Sequence, residues 1–188
     1  MSSKNKSKAG SKDTKIFDPS GAWLGKVSRK GEIISRLSEL HEVLRDMPQL
    51  EMADRPAGFK KTVSQLISAR ILGNSDKDMR LLACCCLCDI FRISAPDIPF
   101  SDEECVKVFE VLVNQLRGLA TFDRKVSGTG TKIMYILRSL ATVNTCVLPV
   151  ILAAQGVEGA EEVVTGMFHA FISGIHSEHE EEGTFVRS

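Results

Sequence analysis

The stretch 81-LLACCCLCDIF-91 decides how this chain is built. It sets Cys84, Cys85, Cys86 and Cys88 among leucine, isoleucine and phenylalanine. On a helix each residue turns by about 100°, so Cys84 and Cys88 share a face, Cys85 lies to one side and Cys86 points nearly opposite. Four thiols so arranged do not converge on one tetrahedral metal ion. Cys85 and Cys88 form a C-x-x-C pair, but mid-helix, away from the helix N-terminus that would depress a thiol pKa. Cys105 and Cys146 stand alone and supply no second pair. The cysteines therefore read as small hydrophobes that fill volume, with no metal and no redox role. A helix apolar on nearly every side needs neighbours on both, as the inner layer of a stacked helical array has. Asp89 is the exception, and a carboxylate there has to be hydrogen-bonded or paired; Arg92, one turn on, is the local partner.

Outward from this element the pattern stays helical. Ile33, Leu37, Leu40 and Leu44 recur at three or four residues until Pro48, which predicts a first helix. A second is predicted over Phe59–Leu72, on Phe59, Val63, Leu66, Ile67 and Ile71. The cysteine helix is predicted from about Asp76 to Ile93, entered through Ser75 with Asp78 at capping-box spacing and closed by Pro96 and Pro99. Ser101 and Glu104 repeat that spacing before a fourth helix on Val106, Phe109, Leu112, Val113 and Leu116. After the polar loop 121-TFDRKVSGTGT-131, Ile133, Ile136, Leu137 and Leu140 mark a fifth helix. Val147–Ala154 predicts a short sixth with Pro149 in its first turn, and Val163, Val164, Met167, Phe168, Phe171 and Ile172 a seventh. No alternating strand pattern bounded by hairpin turns occurs. Helix pairs recurring about every 40 residues match HEAT or armadillo repeats, so the predicted class is an all-α, HEAT-like helical-repeat solenoid; a closed bundle is the alternative.

The 188 residues carry no net charge, yet residues 1–30 hold eight Lys/Arg against two Asp, and residues 158–188 seven Glu against one Arg. The opening MSSKNKSKAGSKDTK lacks apolar periodicity, and Pro19, Gly21, Gly25 and Gly31 argue for extended or turning backbone after it. The expected organisation is a basic, largely disordered tail over 1–30, helical repeats over 31–176, and an acidic frayed end over 177–188. No apolar run reaches the length of about 18 residues that spans a bilayer, and Lys and Ser stand where a signal peptide needs apolar residues, so an intracellular, soluble protein in a reducing compartment is expected.

Reactive chemistry finds little support. His41 is placed on a polar helix face and His169 is read as packed in an apolar helix; His176 and His179, beside acidic residues, lack the fixed geometry a metal needs. The GTGT run at Gly128–Thr131 precedes a helix but has neither a preceding strand nor P-loop spacing, so it reads as linker. No Ser/His/Asp or Cys/His pairing has supporting context. No enzyme activity, cofactor or small-molecule substrate is expected.

The run 75-SDKDMRLLACCCLCDIFRISAPDIPFSDEE-104 closely resembles the N-terminal region of the "precocious dissociation of sisters" family, the cohesin-associated HEAT-repeat proteins. Asp76-Lys77-Asp78, Met79, Arg80-Leu81-Leu82, the paired cysteines, Asp89-Ile90-Phe91-Arg92-Ile93, Ala95-Pro96, Pro99 and Phe100 fall in family order, and 113-VNQLRGL-119 continues it. Cys88 stands where the family has alanine, one small residue for another. The resemblance implies a nuclear, chromatin-associated, non-enzymatic scaffold that binds cohesin's kleisin subunit and the releasing factor, and acts in maintenance and release of sister chromatid cohesion. Family members are long solenoids, so this chain is expected to be a fragment or a short form. A generic HEAT or armadillo adaptor for trafficking or another complex is the alternative. Arg117, Arg124, Lys125 and Lys132 are the candidate contacts for acidic partners or DNA phosphate, and the basic tail is a candidate for weak DNA contact.

Overall fold

The computed structural model describes residues 15–118 and 128–184, with side chains as far as residue 174. The described residues are helical with no strand, as the periodicity predicts. They form two compact units, one ending at Pro99 and the other beginning at Phe100.

The first unit holds α1 (Ala22–Gly25), α2 (Lys30–Asp46), α3 (Phe59–Leu66) and α4 (Lys77–Ser94). α2 buries Ile33, Leu37, Leu40 and Leu44 on one stripe, and Met47 leaves it in extended conformation ahead of Pro48. It packs along α4, which buries every residue from Leu81 to Phe91. The cap of α4 is Asp76, not the expected Ser75: its Oδ1 accepts the Met79 amide at 2.9 Å. Lys30 bonds the same carboxylate, and that bond first, then the amide, hold Asp76 below the ordinary carboxylate range. α3 stops at Leu66 rather than Leu72. There Ser68 Oγ donates to the Gln65 carbonyl at 2.6 Å and the chain coils into turns, which still bury Ile71 and Leu72.

Residues 15–30 are not the disordered tail expected of them. Ile16, Phe17, Trp23, Leu24 and Val27 are buried, and the segment is strapped across α3 by its carbonyls. Thr62 Oγ1 donates to Ile16 O at 3.4 Å, Gln65 Nε2 to Gly21 O at 2.7 Å, and Arg70 to Leu24 O at 2.6 Å and to Val27 O. Gly58 admits the strap, since a Cβ there would sit 2.0 Å from the Phe17 carbonyl oxygen. Gly21 takes the left-handed turn at φ 67° that starts α1. Glycine and proline forecast the irregular backbone correctly; the apolar residues between them supply the burial that holds it. The first fourteen residues of the expected tail lie outside the described residues.

The second unit holds α5 (Asp102–Leu116), α6 (Gly128–Val143), α7 (Val147–Ala154) and α8 (Ala160–Thr184). α5 opens with the expected capping box: Ser101 Oγ accepts the Glu104 amide at 3.2 Å, and Glu104 Oε2 the Ser101 amide at 3.0 Å. The GTGT run is the first turn of α6 rather than linker, and Pro149 sits in the first turn of α7, where its missing amide costs nothing. Gly156 and Gly159, at φ 75° and 81°, make the turn into α8. That helix runs to Thr184, past the point at 177 where fraying was expected.

α8 also buries a different face from the one its large residues suggest. Ala160, Val163, Met167 and Ala170 point inward, while Phe168 and Ile172 are 59% and 51% exposed. The small residues explain the rotation, because a Cβ on Gly166 would lie 3.1 Å from Val113 Cγ1 of α5. Close approach of the two helices through small side chains leaves the bulky ones outside.

Candidate functional site

The polar residues of the first unit converge on the seam between α2 and α4. Asp89 is 2% exposed; its Oδ2 lies 3.0 Å from His41 Nδ1 and its Oδ1 3.5 Å from Arg92 Nη2. Arg92 reaches on to the end of α2, donating to Leu44 O and Met47 O at 2.7 Å each and to Arg45 O at 3.2 Å. These carbonyls belong to the last turn and C-cap of α2, where helical partners run short, although Leu44 O also accepts the Met47 amide at 3.2 Å, and a guanidinium also suits the negative end of the helix dipole. Arg92 is the partner expected for Asp89. His41 was missed, because a histidine one position beyond Leu40 reads as polar surface until α4 is laid beside it.

Asp89 orients the imidazole, but the sulfur chemistry on the same helix pair is quiet. Cys86 Sγ donates to Leu37 O at 3.6 Å, and its thiol titrates well above the ordinary range, chiefly through burial, with Cys85 and Asp89 adding to it. Burial likewise pushes Cys84 and Cys88 far up, and raises Cys146. Cys105 is pushed up to about 11 by burial, with Asp102 adding to the shift. Burial disfavours the thiolate at these positions, and the side chains fill space between the helices. Among the described residues no group of three or more His, Cys, Asp or Glu side chains is arranged to hold a metal ion.

The turn after α4, which carries the Ala95-Pro96 and Pro99-Phe100 pairs, is clamped from its own unit. Arg55 Nη2 donates to Ser94 O at 3.0 Å and Asp97 O at 2.8 Å, the Leu50 amide donates to Ile93 O at 2.8 Å, and Gln49 bonds Ala95 O. Arg55 thus does for α4 what Arg92 does for α2.

The residues put forward as contacts are not gathered into one site. Arg117 is exposed at the end of α5 with Nη1 3.0 Å from Asn114 Oδ1; Lys132, in the first turns of α6, has Nζ 3.4 Å from Gly128 O. Arg124 and Lys125 lie outside the described residues. His169 is exposed instead of packed, and with Arg117, Glu161, Glu162, Thr165 and Gly166 lines an open hollow between α5 and α8. The side chains of His176 and His179 lie outside the described part of α8.

Comparison with known proteins places this architecture. The family model described as "Sister chromatid cohesion protein PDS5 protein" matches residues 31–185. The chain is 31% identical over 182 residues to sister chromatid cohesion protein PDS5 homolog B-B of Xenopus laevis, covering 94% of this chain and 12% of that protein. It is 33% identical over 152 residues to PDS5 homolog A of Homo sapiens, covering 79% of this chain and 10% of that one. A chain in the solved structure of the Pds5–Scc1 complex superposes with a TM-score of 0.65 at 26% identity, over 77% of this chain and 20% of its own length. That likeness bears out the HEAT-like class. The chain spans about an eighth or less of the curated relatives it matches and a fifth of the solved one.

Proposed function

This chain belongs to the PDS5 family of sister chromatid cohesion proteins, and from that membership we propose that it is a non-enzymatic helical scaffold of the cohesin regulatory machinery. It binds cohesin's kleisin subunit and, with it, the releasing factor, on chromatin in the nucleus, and so contributes to the maintenance and release of cohesion. The observation that carries this reading is the 26% identity and 0.65 TM-score to a chain solved in complex with Scc1. The chemistry of the described residues suits the role. The buried carboxylate and the arginines bond across helix ends, and the buried thiols stay protonated, which leaves outward helix faces to recognise extended or helical segments of partners.

Within that reading Arg117, Arg124, Lys125 and Lys132 are contacts for acidic partner segments or DNA phosphate, with the basic residues before Lys15 adding weak, salt-sensitive attraction to DNA. Affinity purification of the tagged chain from chromatin extracts is expected to recover the kleisin subunit. Repeated recovery without any cohesin subunit, or residence on vesicles, would instead favour a generic helical-repeat adaptor.

A further inference from the structure

The strap and α3 carry an excess of one charge. Residues 15–31 and 55–75 together hold eight Lys/Arg against a single acid, Asp18. Three of the eight are bound within the fold: Lys30 to Asp76, Arg55 to Ser94 O and Asp97 O, and Arg70 to Leu24 O and Val27 O. The other five, Lys15, Lys26, Arg29, Lys60 and Lys61, are exposed and form no salt bridge among the described residues. Asp18 is already occupied. Its carboxylate accepts from Ser20 Oγ and from the Ser20 amide at 3.1 Å, and these bonds, ahead of the nearby Lys26 charge, hold it below the ordinary carboxylate range.

The bonds that strap residues 15–30 to α3 also gather the cations. Thr62, next to Lys61, donates to the carbonyl of Ile16, next to Lys15. A Cβ on Gly21 would lie 2.7 Å from Lys61 Cγ, and one on Gly25, next to Lys26, would lie 2.7 Å from Nε2 of Gln65, one turn after Lys61. Lys15, Lys26 and Lys61 thus border one another on a single surface, with Arg29 and Lys60 beside them in sequence. The surface has no apolar anchor. Among the described residues of the first unit Met52 is the exposed large apolar side chain, and Trp23 is buried. A protein partner is held by apolar and aromatic groups at the centre of its interface, and a membrane by apolar groups that insert. A phosphate backbone needs only cations and hydroxyl or amide donors, and the exposed Ser28 and Ser64 stand among these cations. We propose that the strap and α3 together bind the phosphate backbone of duplex DNA, without regard to base sequence. Because the strap is bonded to α3, the five cations are held in place before DNA arrives, and little ordering opposes their contact with phosphate. The inference needs neither kleisin binding nor the contacts proposed for Arg117 and Lys132, and it assigns a folded face rather than the residues before Lys15.

The test measures fluorescence anisotropy of two unrelated duplexes of about 20 base pairs, titrated with the whole chain at about 50 mM salt. To remove attraction by the first residues, the chain carries Lys4→Gln/Lys6→Gln/Lys8→Gln/Lys12→Gln. It is expected to bind both duplexes equally, and to lose at least tenfold in affinity with Lys26→Glu/Arg29→Glu and again with Lys60→Glu/Lys61→Glu. All five side chains are exposed, so the thermal midpoints of these variants should match that of the parent. Raising salt from about 50 to 200 mM should weaken the parent more than either double variant, since each lost phosphate contact lowers the salt slope by about 0.9. Arg45→Glu, at the other end of α2, is the charge control and should change affinity less than twofold. No binding by the chain with neutral first residues, or equal losses for Arg45→Glu and the two double variants, would overturn the proposal. So would displacement of the duplex by polyglutamate as readily as by unlabelled duplex of the same total charge, or a preference for phosphatidylserine vesicles over duplex, since an acidic protein segment or lipid would then be the occupant.

Discussion

In the first unit Arg55, Arg70, Arg80 and Arg92 all direct guanidinium groups at backbone carbonyls near helix ends or turns, whereas in the second unit Arg117 binds an asparagine side chain on its own helix. The same contrast runs through the apolar surface, closed over by a strap in the first unit and turned outward on α7 and α8 in the second. Carbonyls left over at a helix C-terminus need donors, and long basic side chains reach them from a neighbouring element. Four arginines of the first unit are committed to the fold in this way, while Arg36 bonds Glu32 on its own helix. In the second unit, Val147, Val150, Ile151, Phe168 and Ile172 contribute little to the core of that unit. The difference teaches where to look for stability within a single short chain.

The largest effect expected from breaking this contrast is at Asp89. Asp89→Ala leaves the His41 ring and the Arg92 guanidinium without their buried carboxylate, and is expected to cost about 3 kcal/mol in denaturant unfolding. A loss no greater than that of a surface variant would show that the seam contributes little. Gly58→Ala comes next, at about 1–3 kcal/mol, because its Cβ would strike the Phe17 carbonyl. Limited proteolysis should then find new cleavage among residues 16–28, and an unchanged digestion pattern would mean that the strap is not held there.

In the second unit Ser101→Ala removes one half of the α5 capping box, with an expected cost of about 1 kcal/mol seen as a lower midpoint. A smaller, pH-dependent effect belongs to Asp76. Its folded pKa lies below the unfolded value, so its contribution is present above the unfolded pKa and disappears as pH falls through the folded one. Asp76→Asn should therefore narrow the difference in melting temperature between about pH 5 and pH 2, and an unaltered acid limb would count against the Lys30 bond. Smallest of all, Phe168→Ser and Ile172→Ser should shift stability by no more than about 0.5 kcal/mol, which calorimetry can check. A loss of several kcal/mol at either position would place it in the core and remove the contrast.

Much of the architecture is legible in the chain. The Ile33-Leu37-Leu40-Leu44 stripe, the Ser101-Glu104 box and the Pro149 helix start all stand where spacing puts them, because each depends on groups within a turn or two. Legibility fails where a distant element decides. The end of α3 at Leu66 rather than Leu72 is a local exception, where Ser68 takes the Gln65 carbonyl and the turns that follow still bury Ile71 and Leu72. Asp76 displaces Ser75 as a cap with Lys30 bound to the same carboxylate. The candidate site was the least legible part: Arg92 is one turn from Asp89 and was expected, while His41, 48 residues away, was not.

Taken alone, the order of residues determined the helical class, most helix starts and the family, since these follow from short-range periodicity, capping and a contiguous motif. Only the tertiary structure decided that Ile16, Phe17, Trp23, Leu24 and Val27 are core, that His41 pairs with Asp89, and that α8 turns its small residues inward and Phe168 and Ile172 outward. The physical reason is that burial and pairing are properties of two surfaces at once. Periodicity describes one helix, and which of its faces is buried depends on how closely a second can approach.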